Sequence, residues 1–235
     1  MEPWIVGLIA LVVVGLGVII YGALHDRARN RRRAAEMLAP PPRAIPHFRP
    51  DSPAPHYLSE LQARRAPPDA EPTDLTPSQR EVISAQLADP ATVTIRAGYA
   101  SRDFATDRSS GWAVLESPRV LVCADPVTSM RELLTVLEKL IISRTPVVLV
   151  APAIADEVRT TLEVNKIRRL IQVVAVSAPE TDLRTIVAAT HARLIDRADR
   201  QAGYLDLHRL GRCARWISTP TASHVVAAAD LEQSR

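Results

Sequence analysis

The sequence predicts an α/β domain that follows one transmembrane helix and a disordered linker. Three observations lead to this fold class. Between Gly98 and Val176, short apolar runs of strand length alternate with amphipathic runs of helix length, which is the pattern of successive strand and helix units. Residues 4–24 form a run of 21 residues without a charge. Residues 40–90 contain 12 of the 19 prolines.

The charge-free run Trp4–Leu24 predicts a transmembrane helix, because a helix of this length spans the roughly 30 Å of a bilayer hydrocarbon core. Trp4 and Tyr21 lie near its two ends, where aromatic rings favour the membrane interface. The alternative is a cleaved signal peptide. Against that alternative, no basic segment precedes the run, the run is long for a signal peptide, and no convincing cleavage site follows it. Residues 1–25 are therefore interpreted as a single-pass anchor in the cell (inner) membrane.

Arginines follow the apolar run and none precedes it. The candidate membrane-surface residues are Arg27, Arg29, Arg31, Arg32 and Arg33. The positive-inside rule places this side of the helix in the cytoplasm, with the N-terminus outside and the C-terminal domain cytoplasmic. The same arginines are suited to anionic headgroups of the inner leaflet.

The basic charge of the chain is local. Between His25 and Arg49, seven arginines and two acidic residues give +5, which leaves −2 on the remainder of a chain whose net charge is +3. The sequence pI of 9.2 therefore does not indicate a basic surface on the folded domain. We expect no nucleic-acid partner.

Residues 26–75 are predicted to form a basic, proline-rich cytosolic linker. Closely spaced prolines prevent a regular helix, and the few aliphatic residues provide too little apolar surface for a core. The segment Thr76-Pro77-Ser78-Gln79 follows, with the pattern of a capping box and a proline in the first helical turn. It predicts a short helix over residues 77–88 that leads into a domain over residues 76–229. Residues 230–235 form a polar tail.

The domain contains the elements of a parallel sheet. The sequence predicts strands at Val120–Cys123, Val147–Val150 and Ile171–Val176, and helices at Met130–Ser143 and Asp156–Arg168. The two kinds of element alternate along the chain, as in strand-helix-strand units.

The helix predicted at Met130–Ser143 carries two apolar stripes. The first contains Leu133, Val136, Leu137 and Leu140, and the second contains Met130, Leu134 and Ile141. Together they form an apolar arc of roughly 160°, which is wider than packing on one sheet requires. From the residues alone two interpretations stay open: neighbouring loops bury the second stripe, or it is an exposed binding surface.

Several motifs occur in a fixed order. They are GYASRDF at Gly98–Phe104, LESPRVLV leading into SMRELLTVLE, the strand PVVLVA, the helix TLEVNKIR and the strand VVAVSAP. Their order and near spacing resemble the apical domain of GroEL-type chaperonins, and the resemblance continues to Val226. It implies a swivelling β/β/α domain with a groove that receives non-native polypeptide and the co-chaperonin.

This resemblance, together with the second stripe, defines the candidate protein-binding groove. Its residues are Tyr99, Ser101, Phe104, Met130, Leu134, Leu137, Glu138, Ile141, Arg159, Glu163, Val164 and Asn165. Compared with the family, Asp103 replaces an aromatic residue, and Arg159 and Glu163 replace Leu and Val. These charges remove apolar area at about 25 cal/mol per Å², and they favour one partner of matching charge over generic unfolded chains.

The sequence lacks the signatures of an ATPase. Chaperonins hydrolyse ATP in a separate equatorial domain with a GDGTT-type loop, which has no match here, and neither GxxxxGK[ST] nor GxGxxG occurs. The six histidines show no metal-ligand spacing, and Cys213 with His208 defines no metal site. We therefore expect no ATP, cofactor or metal, and no enzymatic activity.

Three functions follow from these features. The favoured prediction is a membrane-anchored, non-enzymatic module that binds a protein partner in the cytosol. The alternative is an ATP-independent, holdase-like chaperone for membrane or exported client proteins. A third, an enzyme with an unrecognised site, requires a polar pocket with strongly perturbed ionisable groups.

Overall fold

The computed structural model describes residues 3–38, 59–68, 73–203 and 205–228. The chain divides into two compact units, Met1–Tyr57 and Leu58–Arg235. Much of the predicted disordered linker, and the predicted polar tail at 230–235, lie outside the described residues.

The first unit contains helix α1 (Pro3–Leu38). Its stretch Leu11–Arg32 is long and apolar enough to cross a membrane, with a mean hydropathy of 1.5 and none of that stretch buried. These are criteria of length and composition alone, and a signal sequence near the N-terminus meets them as well. The helix also continues into residues predicted as linker, because residues 27–38 are mostly Arg, Ala, Glu, Met and Leu, which favour helix.

The second unit contains two sheets. The antiparallel sheet consists of β1 (Val93–Ile95), β2 (Ala113–Glu116), β8 (Arg215–Ser218) and β9 (Ser223–Val226), in the order β1-β9-β8-β2. The second sheet consists of β3 (Arg119–Cys123), β4 (Val147–Ala151), β5 (Val173–Ser177), β6 (Leu194–Ile195) and β7 (Gly211–Arg212). Its parallel strands run in the order β5-β4-β3-β6, and β7 pairs antiparallel with β3.

The helices of this unit connect and cover the sheets. They are α2 (Glu60–Ala63), α3 (Pro77–Ala88), α4 (Leu134–Ile142), α5 (Asp156–Ile167), α6 (Glu180–Thr190) and α7 (Arg197–Gln201), with 3-10 turns at Arg102–Phe104, Met130–Glu132 and Leu207–Arg209. The chain moves from β3 through α4 to β4 and through α5 to β5, always in one direction across the sheet. Because such crossovers are right-handed, α4 and α5 lie side by side on one face.

The parallel strands form the centre of the core. Every residue of β4 is buried, and Val148 pairs with Val120 on one side and Val174 on the other, all three with no exposed area. Strands covered on both faces carry continuous apolar runs rather than alternating ones. The apolar runs therefore allow these strands to be predicted from the sequence. The predicted bounds differ from the observed ones by no more than two residues.

Two helices match their predicted residues closely. Helix α5 ends one residue before the predicted end. Helix α3 spans the predicted residues 77–88, and both hydrogen bonds of the capping box are present. Thr76 Oγ1 accepts from the Gln79 amide (3.3 Å), and Gln79 Oε1 accepts from the Thr76 amide (2.8 Å).

The prediction of one continuous helix over Met130–Ser143 is wrong at its N-terminal end. Residues Met130–Glu132 form a 3-10 turn, and α4 begins only at Leu134. The Glu132 carboxylate accepts hydrogen bonds from Arg200 Nε (2.9 Å) and from Thr128 Oγ1 (2.9 Å). These two contacts hold the turn against α7 and the preceding loop, so it does not join the helix.

Candidate functional site

The candidate groove residues come from three segments, and α5 lies in contact with the other two. It contacts the 3-10 turns Arg102–Phe104 and Met130–Glu132. Lys166 of α5 donates from Nζ to the carbonyl oxygens of Asp103 (2.8 Å) and Ala105 (2.5 Å). The fold therefore brings the GYASRDF motif and the two predicted groove helices together.

Backbone pairing aligns these segments. The Ala155 amide donates to the Val127 carbonyl and the Val127 amide to the Ala153 carbonyl, both at 2.9 Å, which joins the loops ahead of α4 and α5. The Ala100 amide donates to Ala175 of β5 (2.7 Å). Gly98 passes against Pro220, where a Cβ atom would lie 2.3 Å from backbone, so only glycine fits at the start of the motif.

Helix α4 buries one apolar stripe and exposes much of the other. Leu137 belongs to the first stripe and is only 7% exposed, packed in the core. In the second stripe, Leu134 is 55% exposed and Ile141 is 44% exposed, whereas Met130 is half-buried and packs on the core. Glu138 is exposed as well. Leu134 and Ile141 are therefore the accessible residues of the second stripe.

The motif segment and α5 present less surface than expected. Phe104 is fully buried, Tyr99 is buried, and Ser101 is half-buried with its Oγ accepting from the Asp103 amide (3.2 Å). The two aromatic side chains belong to the core cluster. Phe104 and Leu137, both predicted in the groove, thus offer almost no area to a ligand.

Three charged side chains of α5 pair with one another. Arg159 donates to Glu163 Oε1 (2.6 Å) and to Asp156 Oδ1 (3.0 Å). The hydrogen bonds to Asp156 and Glu163 raise the pKa of the Arg159 guanidinium, so it stays charged. Glu163 is 1% exposed and is therefore a buried anion beside its partner rather than a freely accessible one.

The other two predicted residues of α5 are half-buried. Val164 exposes part of its aliphatic side chain to solvent. Asn165 donates from Nδ2 to the Thr161 carbonyl (2.8 Å), within its own helix. This bond occupies one amide donor and leaves the carbonyl oxygen for other contacts.

Sequence reasoning missed two residues that meet at this site. Arg64, in the predicted linker, places Nη1 at 3.2 Å from Asp103 Oδ2 and at 3.6 Å from Glu163 Oε2. Lys166 is largely buried, and desolvation, together with nearby Arg169, lowers the pKa of its amine to about 8. A basic, proline-rich linker composition carries no signal for the first contact, and the only signal for the second was that Lys166 is one of two lysines in the chain.

A cavity of about 440 Å³ opens beside the motif. Its lining residues are Tyr99, Arg102, Ala105, Arg108, Ser109, Ser110, Gly111 and Pro220. The two serine hydroxyls donate to the buried carboxylate of Asp107, so they serve the structure of the loop. Among the described residues, no group of three or more His, Cys, Asp and Glu side chains is placed to hold a metal ion.

In the first unit, the predicted membrane-surface arginines lie on α1. The side chains of Arg27, Arg29, Arg31 and Arg32 are exposed. The side chain of Arg33 is not among those that the structure describes.

Comparison with known proteins identifies homologues for part of the chain. No family model matches it. A segment of 106 residues is 35% identical to Chaperonin GroEL of Mycoplasma genitalium and of Mycoplasma pneumoniae, covering 45% of this chain and 20% of each relative. Chaperonin GroEL 1 of Mycobacterium ulcerans is 35% identical over 105 residues, which cover 42% of this chain and 20% of the relative. The chain thus spans about a fifth of the length of these relatives.

Solved structures of similar fold are also chaperonins. Chaperonin gp146 from bacteriophage EL is 18% identical, with a TM-score of 0.49, over 60% of this chain and 30% of the phage chain. A group II chaperonin from Methanococcoides burtonii in an open state is 17% identical, with a TM-score of 0.40, over 57% of this chain and 30% of that chain. The second unit is a mixed α/β domain by its own strands and helices, and about 106 residues of the chain are homologous to GroEL-type chaperonins.

Proposed function

We propose that the second unit is a non-enzymatic module that binds a protein partner in a groove between α4 and α5. The observation that carries this proposal is the exposure of Leu134 and Ile141 on α4, the helix whose sequence follows the chaperonin motif. A helix packed on a sheet normally turns its apolar residues inward, so two exposed aliphatic residues seven positions apart, on the same side of the helix, indicate a contact surface.

The chemistry of the groove favours a particular partner. Its α4 wall presents Leu134 and Ile141, and Glu138 is also exposed there. Its α5 wall carries the Asp156, Arg159 and Glu163 ion pairs. A ligand gains free energy by burying apolar anchors on Leu134, and loses it where an apolar side chain meets an ionised group. The partner is therefore a protein segment with an aliphatic anchor followed by polar or charged side chains.

We also propose that α1 holds this module at the cytosolic face of the cell membrane. The apolar stretch of α1 and the exposed arginines that follow it support this location. An anchor raises the local concentration of the module near membrane-associated partners. In this proposal the chain works without ATP or a cofactor.

A holdase-like chaperone for membrane or exported proteins is the second candidate. The observation that favours it is a third exposed aliphatic residue on this helix, Ile142, which is 78% exposed at the end of α4. The two candidates differ in the number of proteins bound.

Photo-crosslinking in cells separates these possibilities. A probe is placed at Leu134 and, as a matched control, at Val82 of α3, an aliphatic residue of nearly equal exposure (55% and 53%) on a different helix. One dominant adduct at Leu134 alone supports the dedicated module. Many adducts at Leu134 alone support the holdase. Equal labelling at both positions, or no adduct at Leu134, refutes the groove.

A further inference from the structure

Residues Ser59–Arg65, here called the docking segment, have a structure of their own within the predicted linker. Ser59 begins α2 with reciprocal hydrogen bonds: its amide donates to Gln62 Oε1 (2.9 Å), and its Oγ accepts from the Gln62 amide (3.3 Å). The Ala63 amide donates to the Ser59 carbonyl (2.9 Å) and the Arg65 amide to the Gln62 carbonyl (3.2 Å). This is a capping box around a single helical turn.

Arg64 of the docking segment reaches the groove. Arg64 lies between Asp103, in the 3-10 turn Arg102–Phe104, and Glu163, on α5. It therefore bridges two walls of the candidate site. Its own side chain is 37% exposed, whereas that of Glu163 is only 2% exposed.

Two guanidinium groups lie beside the buried carboxylate of Glu163. Arg159 occupies Glu163 Oε1 at 2.6 Å, and Arg64 approaches the other oxygen, Oε2, at 3.6 Å. A buried carboxylate is unfavourable unless its oxygens are paired. A guanidinium offers several N–H donors in a planar fork, which suits two carboxylates on different elements.

We propose that Asp103 and Glu163 form a guanidinium-binding site, and that the chain's own docking segment occupies this site through Arg64. A protein ligand that presents an arginine competes with Arg64 for the same two carboxylates. This last step rests on the proposed function, whereas the docking itself does not. Because the segment belongs to the same chain, its effective concentration is on the order of mM, so a free ligand must bind the two carboxylates more tightly than Arg64 does, or exceed that concentration, to displace it.

The docking is tested by hydrogen exchange of the full chain in detergent micelles, read on the peptide that covers residues 59–68. Arg64→Ala is compared with Arg65→Ala, which removes a neighbouring exposed arginine of the same segment. We expect Arg64→Ala to raise the exchange rate of the Ala63 and Arg65 amides about fivefold, after correction for intrinsic rates. Arg65→Ala leaves the Ala63 rate unchanged. Equal rates in the two variants overturn the proposal.

Changes on the receptor side give an independent test. Asp103→Asn removes one carboxylate charge from an exposed position and is expected to accelerate exchange of the same amides, and Arg64→Lys to retain part of the protection. If Asp103→Asn leaves the rates unchanged, Arg64 is not held by this site and the proposal fails.

Competition is tested with the photo-crosslinking probe at Leu134. We expect a higher adduct yield in the Arg64→Ala background than in the Arg65→Ala background. Unchanged yields together with faster exchange would overturn the claim that the docking segment competes with a ligand. Absence of any adduct, with the exchange result as expected, would instead count against the proposed function alone.

Discussion

Replacing Arg200 by methionine tests how the start of α4 is held in place. Arg200 lies on α7 and Glu132 in the 3-10 turn ahead of α4, with Nε and Oε2 2.9 Å apart. The two side chains are only 1% and 5% exposed. Arg200 also donates from Nη2 to the Pro126 carbonyl (3.0 Å). One side chain thus ties together α7, the turn and the loop before it.

The expected loss of stability follows from this burial. Without Arg200, the Glu132 carboxylate keeps hydrogen bonds from Thr128 but no cation. Removing one partner of a buried ion pair costs about 3–5 kcal/mol. For a domain of this size we expect a fall in Tm of roughly 6–20 °C.

The chain offers a matched control. Arg184 and Glu180 on α6 form an ion pair of similar length, 2.7 Å, with side chains that are 79% and 75% exposed. Water screens such a pair, so Arg184→Met is expected to change the free energy of unfolding by less than about 1 kcal/mol.

Urea unfolding of the full chain in detergent, followed by near-ultraviolet circular dichroism, measures these differences. The double variant Glu132→Met with Arg200→Met should recover much of the loss, because no charge is then left buried. The reasoning is refuted if Arg200→Met lies within about 1 kcal/mol of Arg184→Met, or if the double variant is no more stable than the single one.

Two further predictions concern buried polar groups. Asp107 is buried and accepts hydrogen bonds from Arg80 Nε (3.0 Å) and from neighbouring serines. These contacts, led by the Arg80 hydrogen bond, hold the pKa of Asp107 well below the ordinary value of 3.8. The ionised carboxylate therefore stabilises the folded domain above pH 3.8, and this contribution is lost as the pH falls. Asp107→Asn should lower the free energy of unfolding by about 1.5–3 kcal/mol at neutral pH. It should also make this free energy depend less on pH below pH 3.8. An unchanged dependence on pH would contradict the prediction. Burial raises the pKa of the Cys123 and Cys213 thiols to about 12. A thiol reagent at about pH 8 should therefore label the chain only after urea unfolding. Rapid labelling of both thiols in the folded protein would contradict this, because it would show that the reagent reaches them.

Local patterns explain the elements that were predicted well. The capping box that starts α3 lies within four consecutive residues, so its hydrogen bonds can be read from the sequence. The strands β3, β4 and β5 are covered on both faces, and their continuous apolar runs follow from that burial. The order of the motifs likewise indicated the chaperonin-like segment, which the homologues support over 106 residues.

The antiparallel sheet shows what local patterns leave out. Its strands β1 and β9 pair across the length of the domain, and Thr94 Oγ1 lies 3.1 Å from His224 Nδ1 although the two residues are 130 positions apart. Each strand has only three or four residues. Such short strands carry little periodicity, so their pairing depends on the folded core between them.

The sequence by itself determined the apolar N-terminal helix, the capping box and the alternating strands and helices, since each depends on neighbouring residues. Only the tertiary structure decided which of the candidate groove residues are exposed and which are buried. The folded structure pairs Arg200 with Glu132, 68 positions away, in the 3-10 turn ahead of α4. It also buries Phe104 and Glu163. It also brought Arg64 to Asp103, 39 positions away. Contacts between distant charges leave no trace in hydrophobic periodicity, because a salt bridge depends on where the fold places two side chains and not on their spacing along the chain.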